Sequence, residues 1–148
     1  MLESQSGSRP AGRAAGPHAR PPTLRIFVVE NHDDTRVLLC ILLTQMGHPV
    51  YSAATMHEAL RAIPASRCDV LISDIGLPDG DGWELMERLP WRPRLAIAMS
   101  GRGMTGDRAR SQAVGFQHHL VKPTGPEQLA QILTRAGHDL RQPHAETA

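Results

Sequence analysis

The chain has 148 residues, of which 41% are hydrophobic and 21% charged, and its formal net charge is +1 at neutral pH. This length suits one domain with a hydrophobic core, and the composition is close to the average of globular proteins. The sequence has no apolar run long enough to span a bilayer and no signal-like stretch behind its N-terminal arginines. It therefore predicts a cytoplasmic protein without a membrane partner.

The excess of basic residues lies at the ends of the chain. Between residues 23 and 136 the sequence has twelve basic and twelve acidic residues. A neutral body offers no electrostatic surface for nucleic acid, so we expect no nucleic-acid partner. Lys122 is the only lysine beside fifteen arginines, which makes it a candidate for a role that a planar guanidinium cannot fill.

Composition divides the chain into three parts. Residues 1–22 are largely Pro, Gly, Ala, Ser and Arg with almost nothing to bury, which predicts a disordered N-terminal tail. Residues 23–137 alternate apolar runs with turn-forming residues and predict the folded domain. Residues 138–148 are again polar and predict a flexible C-terminal tail.

Within the domain, hydrophobic periodicity predicts strands and helices in alternation. The first half has a strand at 24–29, a helix at 34–46, a strand at 50–53, a helix between the cap Thr55 and Pro64, and a strand at 70–73. The second half has a helix capped by Asp81, a strand at 95–99, an Ala-rich helix up to Gly115, a strand at 116–121 and a helix from Pro126. Five strands alternating with five helices predict a parallel, doubly wound α/β sheet with right-handed crossovers.

Polar side chains follow four of the predicted strands. Glu30 and Asn31 follow the first strand, Asp74 the third, Ser100 the fourth and Lys122 the fifth. Because the carboxyl ends of parallel strands meet at one edge of a sheet, we expect these side chains to share one crevice. A carboxylate can form an acyl phosphate, and a cation, a hydroxyl and a divalent metal stabilise charge on the phosphoryl oxygens. The sequence therefore predicts phosphoryl transfer.

Four sequence strings resemble the receiver domains of two-component response regulators. They are residues 28–31 (VVEN), 71–82 (LISDIGLPDGDG), 99–101 (MSG) and 119–123 (HLVKP), and the resemblance extends from residue 24 to about 136. It implies a (βα)5 flavodoxin-like three-layer sandwich with strand order 2-1-3-4-5.

The resemblance also implies roles for individual residues. Asp74 corresponds to the phosphoacceptor, Lys122 to the phosphate-contacting lysine before a cis peptide to Pro123, and Ser100 to the hydroxyl that turns toward the phosphoryl group. His119 lies where receivers usually have an aromatic switch residue that moves inward on activation. We therefore interpret Ser100 and His119 as a coupled switch.

A Mg²⁺ site is implied at the same edge. Glu30 and Asn31 correspond to the acidic pair, and Asp74 and the backbone carbonyl of Gly76 complete the ligand set. The second member of the pair is usually aspartate, so Asn31 departs from the pattern. Because Mg²⁺ prefers charged oxygen ligands, we expect Mg²⁺ to bind weakly here.

The function implied is that of a stand-alone switch rather than an enzyme, with at most self-phosphorylation and self-dephosphorylation. Its partners would be a sensor histidine kinase or phosphotransfer protein and a downstream effector protein. Two alternatives remain open: a degenerate receiver that binds partners without phosphorylation, and the receiver fragment of a hybrid histidine kinase. A flavin carrier fits less well, because Glu30, Asp33 and Asp34 would repel a phosphate at the first strand. A dehalogenase-type phosphatase would have its nucleophile after the first strand rather than the third, and the segment after Asp74 lacks the second aspartate of that class.

Overall fold

The computed structural model describes residues 23–101 and 108–141. Its elements are β1 (Ile26–Val29), α1 (Asp33–Gln45), β2 (Val50–Ala53), α2 (Met56–Ser66), β3 (Val70–Asp74), β4 (Gly76–Leu77), β5 (Gly80–Asp81), α3 (Gly82–Arg88), β6 (Leu95–Ser100), α4 (Arg108–Val114), β7 (His118–Val121) and α5 (Pro126–Arg141). The predicted N-terminal tail and residues 142–148 lie outside the described residues.

The five longer strands form one parallel sheet in the order β2-β1-β3-β6-β7. Counting only these five strands along the chain, the order is 2-1-3-4-5, so the predicted fold class and strand order are confirmed. The order reverses between β1 and β3, which places a crevice beyond their carboxyl ends. The strand β3 lies in the centre, and Asp74 at its end pairs in register with Met99.

Two layers of helices cover the sheet. On one face, alternate residues of β1 and β3, such as Phe27 and Leu71, pack with helices α2, α3 and α4. On the other face, their neighbours, such as Val28 and Ile72, pack with α1 and α5. Burial on both sides explains why β1, β3 and β6 are continuous apolar runs, and it contributes on the order of 2 kcal/mol for each large side chain.

A short antiparallel hairpin was not predicted. Strands β4 and β5 pair Gly76 with Asp81 and Leu77 with Gly80, around a turn after β3. Hydrophobic periodicity does not indicate it, because two-residue strands rich in glycine have no apolar alternation. The hairpin sits directly beside Asp74 and leads into α3.

One predicted helix end was wrong, and one predicted domain boundary falls inside a helix. Helix α2 continues past Pro64 to Ser66, because buried Ile63 and Ser66 anchor its last turn and offset the N–H that proline lacks. Helix α5 continues to Arg141, so the boundary at residue 137 falls inside a helix, because Leu140 packs against the core. Among the described helices, none combines the length and apolar character required to cross a membrane.

Candidate functional site

The polar residues at the strand ends lie together, as the topology requires. Glu30 follows β1, Asp74 and Ser100 end β3 and β6, and Lys122 directly follows β7. The backbone N–H of Lys122 donates to the carbonyl of Ser100 at 2.7 Å, which ties the last two strand ends to each other. The peptide bond from Lys122 to Pro123 is cis, as expected from the resemblance.

A buried ion-pair triad forms the centre of the site. The Nζ atom of Lys122 lies 2.8 and 2.9 Å from the two carboxylate oxygens of Glu30 and 2.7 Å from Oδ1 of Asp74. Glu30 is 0% exposed and Asp74 is 3% exposed, while the Lys122 side chain is 28% exposed. Two buried carboxylates need a cation nearby, because removing an isolated charge from water is costly. The only lysine of the chain supplies that charge.

The carboxylate of Asp74 has unused hydrogen-bonding capacity. Within the described residues, Oδ1 of Asp74 is ion-paired with the Lys122 ammonium at 2.7 Å, whereas Oδ2 has no hydrogen-bond partner. Buried polar atoms are nearly always paired, so an exception at a strand end indicates a place for a ligand or a chemical group. Asp74 is therefore positioned for an incoming electrophile or cation.

The backbone on either side of Asp74 is held rigidly. The N–H of Ile75 donates to the carbonyl of Met99 at 2.9 Å, and the N–H of Gly82 donates to the carbonyl of Ile75 at 2.8 Å. A Cβ on Gly82 would lie 2.6 Å from the carbonyl oxygen of Asp74, so only glycine allows α3 to begin this close to β3. The hydroxyl of Ser73 donates to that same oxygen at 2.8 Å.

The structure adds one potential metal ligand to those implied by the resemblance. Glu30, His32 and Asp74 each offer one ligand atom, and these atoms lie within 4.8 Å of one another. The other two implied ligands, Asn31 and the Gly76 carbonyl, follow β1 and β3 in sequence. Sequence reasoning missed His32, because the family pattern has no metal ligand at its position. Two buried carboxylates, one of which has an oxygen without a hydrogen-bond partner, fit a divalent cation.

Ser100 and His119 are in direct contact. The Oγ of Ser100 lies 2.7 Å from Nε2 of His119, and the Oγ of Ser111 lies 2.9 Å from Nδ1 on the other side of the ring. Trp83 donates its indole N–H to Ser111 at 3.0 Å. The guanidinium of Arg110 stacks over the Trp83 ring at 4.1 Å from its centroid. A chain of side chains thus connects Ser100, at the carboxyl edge of the sheet, to helices α3 and α4.

Asp79 has a structural role near the site. It accepts hydrogen bonds from the N–H groups of Met56 and His57 at 2.7 and 2.9 Å and so caps helix α2. Burial opposes ionisation of this carboxyl, but the hydrogen bonds from the His57 and Met56 backbone outweigh it and lower the pKa of Asp79. The charged residue in the turn after β3 therefore fixes the hairpin against α2.

Comparison with known proteins decides the family. The family model described as the response regulator receiver domain matches residues 26–134, which is more than half of the chain. The chain belongs to the response regulator receiver domain family. This receiver domain has the fold and the sequence strings that the resemblance implied, and it is part of two-component signalling. Receiver domains typically bind Mg²⁺ at acidic residues and act in signalling rather than as conventional enzymes.

Relatives and solved structures agree with this assignment. An uncharacterized 14.6 kDa protein of Leptolyngbya boryana is 33% identical over 73% of this chain and 86% of that protein. The transcriptional regulatory protein TcrA of Mycobacterium tuberculosis is 33% identical over 93% of this chain and 55% of TcrA. The chain therefore spans about half the length of such transcriptional regulators. The crystal structure of the chemotaxis response regulator CheY4 of Vibrio cholerae is 26% identical, covers 76% of this chain and 98% of that chain, and has a TM-score of 0.69.

Proposed function

We propose that this receiver domain accepts a phosphoryl group on Asp74 from a sensor histidine kinase or a phosphotransfer protein and passes the signal on through altered protein contacts. The observation that supports this most directly is the buried Asp74 carboxylate, whose Oδ2 has no hydrogen-bond donor among the described residues and whose Oδ1 lies 2.7 Å from the Lys122 ammonium. Because such donors receive their phosphoryl group from ATP, we propose that the domain acts in the cytoplasm.

The transfer step uses groups of this chain. An Asp74 oxygen attacks the phosphorus of a phosphohistidine, a P–O bond forms and the P–N bond breaks. The electron pair of the broken bond returns to the imidazole of the donor, which takes up a proton. Lys122 stabilises the negative charge on the phosphoryl oxygens, and the Ser100 hydroxyl can donate a hydrogen bond to one of them.

A divalent ion would complete this chemistry. Glu30 and Asp74, with the amide of Asn31 and the carbonyl of Gly76, are the groups that would hold Mg²⁺ at the carboxyl edge of the sheet. When bound, the ion supplies positive charge to the transferred phosphoryl group. The residues of the chain orient the nucleophile and exclude water, since Glu30 and Asp74 are buried.

The face of helix α1 beside the pocket suits a protein donor. Val37, Leu38 and Ile41 are 54%, 56% and 48% exposed on this helix. Arg36 ties the start of α1 to the pocket by donating to the Glu30 carbonyl at 2.9 Å. A donor whose histidine reaches Asp74 must therefore lie over the beginning of α1, where exposed apolar side chains can pack against it.

Mass spectrometry after incubation with acetyl phosphate and MgCl2 tests the proposal. We expect one labile phosphoryl adduct in the wild-type domain and in Asp139→Asn, a control on the exposed face of α5, and none in Asp74→Asn. An adduct that persists in Asp74→Asn would assign the phosphoacceptor elsewhere. A wild-type domain that forms no adduct, with either acetyl phosphate or a phosphorylated protein donor, would favour a phosphorylation-independent interaction module, the alternative that the neutral Asn31 supports.

A further inference from the structure

One imidazole lies beside the buried carboxylates of the pocket. Nδ1 of His32 is 3.7 Å from Oε1 of Glu30, and together with an oxygen of Asp74 these atoms lie within 4.8 Å of one another. The His32 side chain is 72% exposed, and although this residue caps helix α1, its side chain makes no capping hydrogen bond. The ring can therefore turn toward the carboxylates without breaking a contact that stabilises the helix.

A second, independent observation points to a ligand at this place. Asp74 is 3% exposed, and in the described part of the chain its Oδ2 accepts no hydrogen bond. The cluster therefore contains a buried carboxylate that is ion-paired through Oδ1 with Lys122 and leaves Oδ2 without a hydrogen bond, as well as an exposed imidazole. Two ligand atoms bound to one ion at about 2.1 Å in a tetrahedral site lie about 3.4 Å apart, so Nδ1 of His32 and Oε1 of Glu30, at 3.7 Å, are already close to that separation.

The donor set is unusual for Mg²⁺. Asn31 offers a neutral amide oxygen at the position where the family pattern has a carboxylate, while His32 adds a nitrogen donor one residue later. Mg²⁺ requires oxygen ligands in a strict octahedron and loses its water reluctantly. Imidazole suits ions such as Co²⁺, Ni²⁺ and Zn²⁺, which bind mixed nitrogen and oxygen sites more tightly. The loss of a carboxylate at Asn31 and the gain of an imidazole at His32 therefore shift the preference of the pocket from Mg²⁺ toward these transition-metal ions.

We infer that the pocket at Asp74 takes a borderline transition-metal ion in preference to Mg²⁺, with His32 as a nitrogen ligand beside Glu30 and Asp74. This inference deepens the proposed function, on which it rests for the role of the ion. Carboxylate oxygens suit Mg²⁺ and imidazole suits transition-metal ions, so the decisive property is how much of the affinity for Co²⁺ depends on His32.

Metal titration of the full chain tests this dependence without any phosphodonor. Binding of CoCl2 and of MgCl2 is measured by equilibrium dialysis for the wild type, His32→Ala, and the control His57→Ala, which removes an exposed histidine at α2. We expect His32→Ala to weaken Co²⁺ binding about tenfold and to leave Mg²⁺ binding within about twofold. His57→Ala should change neither affinity.

Proton NMR of the cobalt-loaded protein identifies the ligand directly. The ring protons of His32 should show large paramagnetic shifts that saturate at one equivalent of Co²⁺, and Asp74→Asn should remove them. Equal effects of His32→Ala on both ions, or no effect on Co²⁺, would overturn the inference. If acetyl phosphate modifies Asp74 while His32→Ala leaves Co²⁺ binding unchanged, this inference alone fails. If Co²⁺ binds as expected and no adduct forms, the proposed function fails instead.

Discussion

The hydroxyl of Ser100 lies 2.7 Å from Nε2 of His119, so the two predicted switch residues are hydrogen-bonded to each other. A neutral imidazole donates from one nitrogen and accepts at the other, so the bonds to Ser100 and Ser111 have opposite directions. If the phosphoryl group at Asp74 recruits the Ser100 proton, His119 must donate to Ser100, and Ser111 must then donate to His119. The directions of both hydrogen bonds therefore depend on whether Asp74 carries a phosphoryl group, and the change extends to Ser111, which accepts the Trp83 N–H.

This chain of hydrogen bonds gives a prediction for Ser100→Ala. We expect the variant to accept phosphate from acetyl phosphate but to lose the response of Trp83, because its link to His119 is absent. The measurement is the NMR shift of the Trp83 indole N–H, which donates to Ser111 at 3.0 Å. His119→Phe serves as a second interruption of the same chain. An unchanged Trp83 response in both variants would disprove the coupling.

Asn31→Asp should increase the affinity for Mg²⁺. The substitution returns a charged oxygen to the position after Glu30, and one restored charge-assisted contact is worth about 1.4 kcal/mol, or about tenfold in affinity. Isothermal titration with MgCl2 measures the change. The control is Asp34→Asn on the exposed first turn of α1, which removes one negative charge instead of adding one. Equal Mg²⁺ affinities for wild type and Asn31→Asp would mean that the other ligands already satisfy the ion.

Gly82→Ala should destabilise the domain, although alanine favours helices. The added Cβ would lie 2.6 Å from the carbonyl oxygen of Asp74, which is backbone and cannot move aside cheaply. We expect a loss of about 1–3 kcal/mol in the free energy of unfolding, as for other overpacked sites. Urea denaturation compares it with Gly125→Ala, where a Cβ meets no atom within 4 Å. Similar stabilities for the two variants would contradict the close packing of α3 against β3.

Leu38→Ser should separate two kinds of phosphodonor. Leu38 is 56% exposed on the α1 face that a protein donor would cover. We expect transfer from a phosphorylated histidine protein to slow about tenfold, because Leu38 no longer provides an apolar contact that the bound donor would bury. The rate with acetyl phosphate should stay the same. Slower reaction with both donors would indicate a damaged pocket instead of a lost docking contact.

Acid should weaken the fold through His48. Its Nδ1 accepts a hydrogen bond from the N–H of Leu24 at 3.0 Å, and burial lowers the pKa of His48 below its ordinary value of 6.5. The folded state therefore prefers the neutral ring, so its contribution is complete above pH 6.5 and is lost as the pH falls through the lower folded-state pKa.

A comparison of unfolding free energies at pH 7.5 and 5.0 measures the contribution of His48. His48→Asn keeps an acceptor for Leu24 but cannot titrate, so its stability should decline less over this interval. Each unit of pKa difference between the states is worth about 1.4 kcal/mol. His118→Asn, at an exposed histidine on β7, should decline as the wild type does. The same decline in all three proteins would assign the acid sensitivity to other groups.

The sheet and the main site residues could be predicted because both follow from local patterns. Continuous apolar runs predict buried parallel strands, and the geometry of such a sheet brings the residues after the strands together. Ser111 could not be predicted in the same way, since its partners lie on other elements, and His32 was missed because the family pattern has no metal ligand at its position. The contact of Ser111 with Trp83, for example, joins residues 28 positions apart. The last turns of α2 and α5 were missed for a related reason, because packing against the core outweighs local composition there.

The triad of Glu30, Asp74 and Lys122 also determines the sign of the net charge in the pocket. Two carboxylates and one ammonium leave one net negative charge in a buried space, which repels an anionic donor. A bound divalent ion changes the balance to one net positive charge, and a dianionic aspartyl phosphate then brings it to zero. The pocket is therefore neutral only when it holds both the ion and the phosphoryl group, so each of the two favours retention of the other.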